Sequence, residues 1–298
     1  MRRMNTRQAT KQLVTLFIFL ATFTACSPLT PPVPTPTRIS SISSPIMVQA
    51  TLTELPTVTV TPSLCRTQPG RIEEGSLDSL KPPQDFQIYL PPCYDETPDQ
   101  RYPVLYLLHG QTYTDDQWIR LGAARVADEL TISGESRPFI IVFPDNRYWN
   151  QQSELEFGNR LVNDLIPYID STYRTLPDRN HRAIGGMSRG AGWSLRIGLT
   201  QWKLFGAIGL HSLAVLQKDG SKINGWVEAI PASSRPQIFM DIGDADQELA
   251  SAQRVESLFS EAGILHEWHL YGGAHTEDYW SAHIEEYMSW YAGQWNNP

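Results

Sequence analysis

The chain has 298 residues, of which 41% are hydrophobic and 19% charged, and its formal net charge is −8 at pH 7. That length is ample for one hydrophobic core. So acidic a balance argues against nucleic acid as a partner, because a phosphate backbone is held by clustered cations.

At the N-terminus, Arg2, Arg3, Arg7 and Lys11 precede an uncharged apolar stretch over residues 13–25. The stretch is too short to cross a bilayer comfortably, and it ends in small residues, so residues 1–26 read as a bacterial export signal. Thr24-Ala25-Cys26 resembles the lipobox of bacterial lipoproteins, in which the cysteine is lipidated and becomes the new N-terminus. Phe23 stands where an aliphatic residue is usual. The expectation is an exported, cell-surface lipoprotein with Cys26 as its lipid attachment; plain secretion and a retained N-terminal anchor are the alternatives. Membrane contact would then run only through the lipid.

Residues 27–64 are rich in Pro, Thr and Ser and poor in large apolar groups. Such a segment buries too little surface to offset the entropy of ordering, and it reads as an extended tether, with a stray strand at 57–60 as the alternative. The folded domain is expected over 65–298. Loss of the four basic signal residues would take the formal charge from −8 to −12. Cys65 and Cys93 remain, and in an oxidising compartment they are expected to pair; two buried free thiols are the alternative. Two isolated cysteines do not make a zinc set, and no metal is expected.

In the domain, residues 85–90 and 104–108 read as strands, and 115–130 has helical spacing. Residues 139–143 form an apolar run between Pro138 and Pro144, a buried strand. Residues 154–173 are helical, with Leu161, Leu165, Ile166 and Ile169 on one face. Further strands are expected at 181–186, 207–211, 237–242 and 265–270, and further helices at 190–200, 248–262 and 277–290. Repeated β-α units with short apolar strands predict an α/β fold, a mostly parallel central sheet with helices on both faces.

Gly186-Met187-Ser188-Arg189-Gly190 lies between the strand at 181–186 and the helix at 190–200. A nucleophilic serine there sits on a sharp, strained turn, and glycine on either side removes the Cβ atoms that would collide with strand and helix. The following helix aims its free N–H groups and positive end at the site.

Such a serine needs a base, and the base needs an acid to hold its tautomer. In α/β hydrolases the chain order is Ser, then Asp or Glu, then His. Of seven histidines, His109 and His181 precede Ser188. His211 ends a strand, His266 and His269 lie on opposite faces of a strand, and His283 is mid-helix. His275 is left, on a Gly272-Gly273 loop between the last strand and the last helix. The acid should follow the strand at 237–242, where Asp246 is favoured, Asp244 is the reserve and Asp241 falls inside the strand. A calcium loop of Asp244, Asp246 and Glu248 lacks the remaining ligands. His266-Glu267-Trp268-His269 has the wrong spacing for a metalloprotease helix.

The developing oxyanion needs backbone donors already in place. The Arg189 N–H and an N–H from the loop after the strand at 104–108, that of Gln111, are expected to supply them. His109 should prop that loop without moving a proton. The Arg189 side chain reads as a cation at the pocket lip or an ordinary helix-surface arginine. Tyr113, Trp118, Tyr148, Trp149, Trp193, Tyr279 and Trp280 crowd the expected rim, and Trp118, Trp149, Trp193 and Trp280 are the candidate contacts for a planar acyl group or a sugar face.

Leu107-Leu108-His109-Gly110, Leu165-Ile166-Pro167-Tyr168-Ile169, Arg182 through Gly190, Gly243-x-x-Asp246 and Gly272-Gly273-Ala274-His275 together resemble a serine esterase family of the α/β-hydrolase fold. The family includes feruloyl esterases, enterochelin esterases, S-formylglutathione hydrolases and mycolyltransferases. The resemblance spans roughly residues 87–295. It implies an esterase with Ser188, Asp246 and His275 as triad, the Gln111 and Arg189 amides as oxyanion hole, no cofactor, and a small-molecule or polysaccharide-linked ester as substrate. Arg189 departs from the uncharged residue many relatives carry, which bears on substrate and not on chemistry. An acyltransferase with the same triad and a non-catalytic surface-binding lipoprotein are the competing readings.

Overall fold

The computed structural model describes residues 64–146 and 156–296. Their frame is one sheet of β1 (Arg71–Leu77), β2 (Gln84–Leu90), β3 (Val104–Leu108), β4 (Ile140–Pro144), β5 (Arg182–Met187), β6 (Ala207–His211), β7 (Gln237–Gly243) and β8 (Glu267–Tyr271). The spatial order is β1-β2-β4-β3-β5-β6-β7-β8. β2 runs antiparallel to both β1 and β4, and every other neighbouring pair is parallel. This is the expected α/β architecture.

The inner strands are apolar on both faces because both faces are covered, and the pleat sorts their side chains by alternation. Val104, Tyr106, Leu108, Ile184, Ile208, Leu210 and Met240 enter one core, with α5 (Arg189–Thr200) and α7 (Leu249–Glu261) among its other contributors. Leu105, Leu107, Ile141, Phe143, Ala183, Met187 and Phe239 enter the other, shared with α2 (Ala123–Ser133) and α8 (Glu277–Gly293).

Several boundaries differ from the periodicity. The helical stretch expected at 115–130 is two helices, α1 (Gln117–Arg120) and α2, parted at Gly122, whose φ of 104° is left-handed backbone that glycine adopts at little cost. Within the expected 154–173 helix, α3 (Glu156–Arg160) passes through a π-helical turn at Leu161–Leu165 into α4 (Ile166–Thr172). Pro167 accounts for the turn: it has no N–H to donate and its ring crowds the carbonyl one turn back, so the path widens ahead of it. β1 carries no apolar alternation because it is a largely exposed edge strand. The short helix α6 (Ile223–Glu228) was likewise not foreseen from the periodicity. β8 begins at Glu267, so His266 lies before it, and Leu265 is 81% exposed.

Cys65 and Cys93 form a disulfide, with Cα atoms 4.9 Å apart, that ties the start of the described region to the corner after β2. The export signal, Cys26 and the tether up to residue 63 lie outside the described residues, as do Tyr148 and Trp149. No helix among the described residues is long and apolar enough to cross a membrane.

Candidate active site

Ser188 sits between the end of β5 and the start of α5 with φ 57° and ψ −122°. A non-glycine residue held there costs about 1–3 kcal/mol, which the surrounding packing must offset. Two glycines make the turn sterically feasible. A Cβ on Gly190 would lie 2.2 Å from the Leu108 carbonyl oxygen, and one on Gly186 would lie 2.4 Å from the Gly190 carbonyl carbon. The elbow is pinned from β6, where the His211 carbonyl accepts the Ser188 N–H at 2.8 Å.

His275 reaches this point from the loop between β8 and α8. Gly243 and Gly273 permit the crossing: a Cβ on Gly243 would stand 2.3 Å from the Gly273 carbonyl oxygen, and Gly273 itself has φ 151°. His275 Nε2 lies 2.7 Å from Ser188 Oγ, and Nδ1 lies 2.9 and 2.8 Å from the two oxygens of Asp246. With Nδ1–H donating to the carboxylate, the Nε2 lone pair faces the serine hydroxyl.

The Asp246 side chain is fully buried, and Oδ1 also accepts the Glu248 N–H at 2.8 Å. Burial pushes its pKa up. The hydrogen bonds from His275 and from the Glu248 N–H, the charge of His275 and the Ser212 hydroxyl outweigh that and hold the carboxyl below its ordinary range. Asp244 is exposed and accepts the Gly273 N–H at 3.0 Å, bracing the histidine loop from outside. The structure thus brings together Ser188, His275 and Asp246, and not the reserve aspartates. Among the described residues no three His, Cys, Asp or Glu side chains converge where a cation could sit.

The loop after β3 is locked group by group. His109 Nδ1–H donates to the Gly110 carbonyl at 2.7 Å, and its Nε2 accepts the Asn146 N–H at 2.9 Å. The Gly110 N–H donates to the buried Gln117 side chain at 2.8 Å. Gly110 lies against the serine; a Cβ there would be 3.7 Å from that of Ser188. The Gln111 amide follows directly, and the Arg189 amide opens α5. Nothing in the spacing singled out Gln117 as the residue that pins this loop.

The aromatic rim needs correction. Trp118 is fully buried, donating its indole N–H to the Leu108 carbonyl at 3.0 Å. Trp193 is 1% exposed, edge-on to Phe157. Neither offers a face to a ligand. Trp280 is also buried, its ring edge-on to His275 with centroids 5.2 Å apart. Tyr279 is buried and bonds to Asp241, while Tyr113 is only half-buried. Arg189 is neither a lip cation nor a surface arginine. Its side chain is buried, with a guanidinium N–H 3.4 Å from the Asn146 carbonyl oxygen. Aromatic residues near a site in sequence lie equally near its core, so spacing does not separate the two.

His211 has a role the sequence did not show. Its Nδ1 lies 2.7 Å from Asp241, which also accepts the Tyr279 and Tyr287 hydroxyls at 2.7 and 2.6 Å, and its Nε2 lies 2.9 Å from the Tyr291 hydroxyl. This second His–Asp pair is wholly buried.

The family model described as "Putative esterase" matches residues 78–291. An endo-1,4-beta-xylanase/feruloyl esterase of Xylanibacter ruminicola is 29% identical over 68% of this chain, the match spanning 28% of that protein. An esterase of Mycobacterium tuberculosis is 27% identical over 63% of this chain and 52% of its own length. The chain therefore spans about half or less of these curated relatives. Among solved structures, a ferulic acid esterase superposes with a TM-score of 0.68 at 24% identity, covering 76% of this chain and all of the other, which is a likeness of fold. With a family model matched over most of its length, on an α/β-hydrolase sheet, the chain belongs to this esterase family.

Proposed function

We propose that the protein is an extracytoplasmic serine carboxylic-ester hydrolase acting through Ser188, His275 and Asp246. The observation that carries this reading is the unbroken relay from Asp246 through His275 to Ser188 Oγ, at 2.8 and 2.7 Å. His275 takes the serine proton as Oγ attacks the ester carbonyl, and Asp246 stays ionised and holds the imidazole as it charges. The Gln111 and Arg189 amides receive the oxyanion. The alcohol leaves with the proton from His275. Water, deprotonated by the same imidazole, then releases the acid from the acyl-enzyme. The chemistry needs no cofactor.

Esters of aromatic acids on carbohydrate are the favoured substrates, supported by the feruloyl and ferulic acid esterases among the relatives and fold neighbours. The test is hydrolysis of p-nitrophenyl acetate and methyl ferulate by purified protein, with an alkyl fluorophosphonate as trap. The expected result is turnover of both and one phosphonyl adduct, on Ser188, by peptide mass spectrometry. No turnover of any ester and no adduct would overturn the reading.

Residues 65–298 form the esterase domain in this reading, and residues 1–26 its export signal. The Cys65–Cys93 disulfide supports an oxidising compartment. In bacteria expressing the full chain, an alkyne fatty acid is expected to label the protein and to be lost in Cys26→Ala. Equal labelling of both, or of neither, would remove the lipid anchor.

A further inference from the structure

The loop after β3 makes a tight turn in which the Tyr113 N–H donates to the Gly110 carbonyl at 3.3 Å, with Gln111 at its corner. The Tyr113 ring is half-buried and packs on the core shared by α2 and α8. Gly110 fixes its place relative to the nucleophile: the point a Cβ would take there lies 3.2 Å from Tyr113 Cδ2 and 3.7 Å from Ser188 Cβ. The ring also meets Trp280 edge-on, with centroids 6.4 Å apart, and Trp280 in turn lies edge-on to His275. Tyr113, Trp280 and His275 thus stand on the α8 side of Ser188. Trp193 lies in the opposite core, on the α5 side, with the Arg189 guanidinium 6.0 Å from its ring centroid. The mouth beside Tyr113 is polar. Gln117 Oε1 lies 3.5 Å from the same Gly110 point, and Gln117 Nε2 donates to Glu277 at 3.4 Å. Arg120 donates to Glu277 at 3.1 Å, and both side chains reach solvent.

We infer that Tyr113 is a specificity contact for the alcohol half of the ester, and that this half is a sugar. The inference rests on the esterase reading, and its ground is directional. In acylation His275 Nε2 hands its proton to the alcohol oxygen as the carbon–oxygen bond breaks, so that oxygen lies on the His275 side of Ser188. The carbonyl oxygen points to the Gln111 and Arg189 amides, and the α5 side is left for the acyl chain. The alcohol therefore leaves past Trp280 and Tyr113. Trp280 is buried, whereas Tyr113 is partly exposed and offers its ring there. An aromatic face beside charged side chains suits a sugar, whose C–H groups pack on the ring while its hydroxyls bond to Glu277 and Arg120. A methyl alcohol uses neither.

A monoacetate of methyl β-D-xylopyranoside and methyl acetate share an acyl group and give the same acetyl-enzyme, so a difference between them reports the alcohol alone. Wild type is expected to favour the sugar ester in kcat/KM. Tyr113→Ala keeps the backbone bond to Gly110, and it should lower kcat/KM about 10-fold for the sugar ester and less than about twofold for methyl acetate. Tyr113→Phe keeps the ring and should retain most of the preference. The ratio of p-nitrophenyl acetate to p-nitrophenyl butyrate varies only the acyl half, and in Tyr113→Ala it should stay within about twofold of wild type. Equal falls for both acetates, a wild type with no preference between them, or a changed acyl ratio would overturn the assignment. A readout that needs no turnover is the binding of methyl β-D-xylopyranoside, followed by NMR titration. Its Kd should rise at least about threefold in Tyr113→Ala. Should the wild type hydrolyse no ester, the esterase reading falls and the titration decides the contact by itself: no binding, or the same Kd in both proteins, would overturn it.

Discussion

Ser188→Ala is expected to lower kcat on p-nitrophenyl acetate by at least about 10⁴-fold while leaving the fold intact. The side chain lost is one hydroxyl whose contact is His275 Nε2, at 2.7 Å, so little packing goes with it. Alanine at φ 57° keeps the turn as strained as before, and thermal stability should move by less than about 1 kcal/mol. A water replacing the lost hydroxyl would have to be held in the position the elbow gives Oγ at the start of α5, so it should take over the attack poorly. Activity left in the variant would come from the oxyanion donors and from binding alone. The measurement is kcat for both proteins at equal concentration, with phosphonate labelling as the count of competent sites. Retention of more than about a tenth of the activity would show that the hydroxyl is not the nucleophile.

Asp241→Ala is expected to destabilise the protein by about 4 kcal/mol or more, through orphaned buried partners. Asp241 is 1% exposed and accepts from His211, Tyr279 and Tyr287 at 2.6 to 2.7 Å. Without it three donors lie buried and unpaired. Burial first, and then the charge of Asp241, raise the pKa of Tyr279, Tyr287 and Tyr291, so these phenols remain protonated donors across the working range of pH. The hub also clamps α8 to the sheet. The Tyr291 hydroxyl sits in a notch where a Cβ on Gly185 or Gly209 would come within 1.7 Å of it. Urea unfolding should show a lower midpoint with an unchanged slope, whereas Glu228→Ala, at an exposed position, should stay within about 0.5 kcal/mol of wild type. A loss below about 1 kcal/mol would mean that the tyrosines and His211 find other partners.

The strands and the elbow were legible because each is dictated locally. β3 and β6 begin and end where their apolar runs do. Gly186 and Gly190 are required by the strand-turn-helix geometry alone, and the close approaches of 2.4 and 2.2 Å show why. Elimination among the histidines left His275 because two others precede Ser188 and the remaining four read as strand or helix residues, while His275 alone sits on a glycine-bearing loop between the last strand and the last helix. The helices were less legible. Gly122 divides one apparent helix in two, and Pro167 inserts a π-helical turn into another, neither of which changes the apolar spacing.

By itself the sequence determined the β-α alternation, the position of the strained serine and the loops that carry His275 and Asp246, since these follow from local backbone preference and chain order. Only the tertiary structure decided which residues meet side chain to side chain. It sent Trp118 and Trp193 to the core, buried Arg189, placed Gln117 on the Gly110 amide, and joined His211 to Asp241 and Ser212 to Trp280. Those pairings join residues 7 to 68 positions apart. They form because a buried polar atom must find a partner, and the partner is chosen by where the packed layers bring the chain together, which no local pattern encodes.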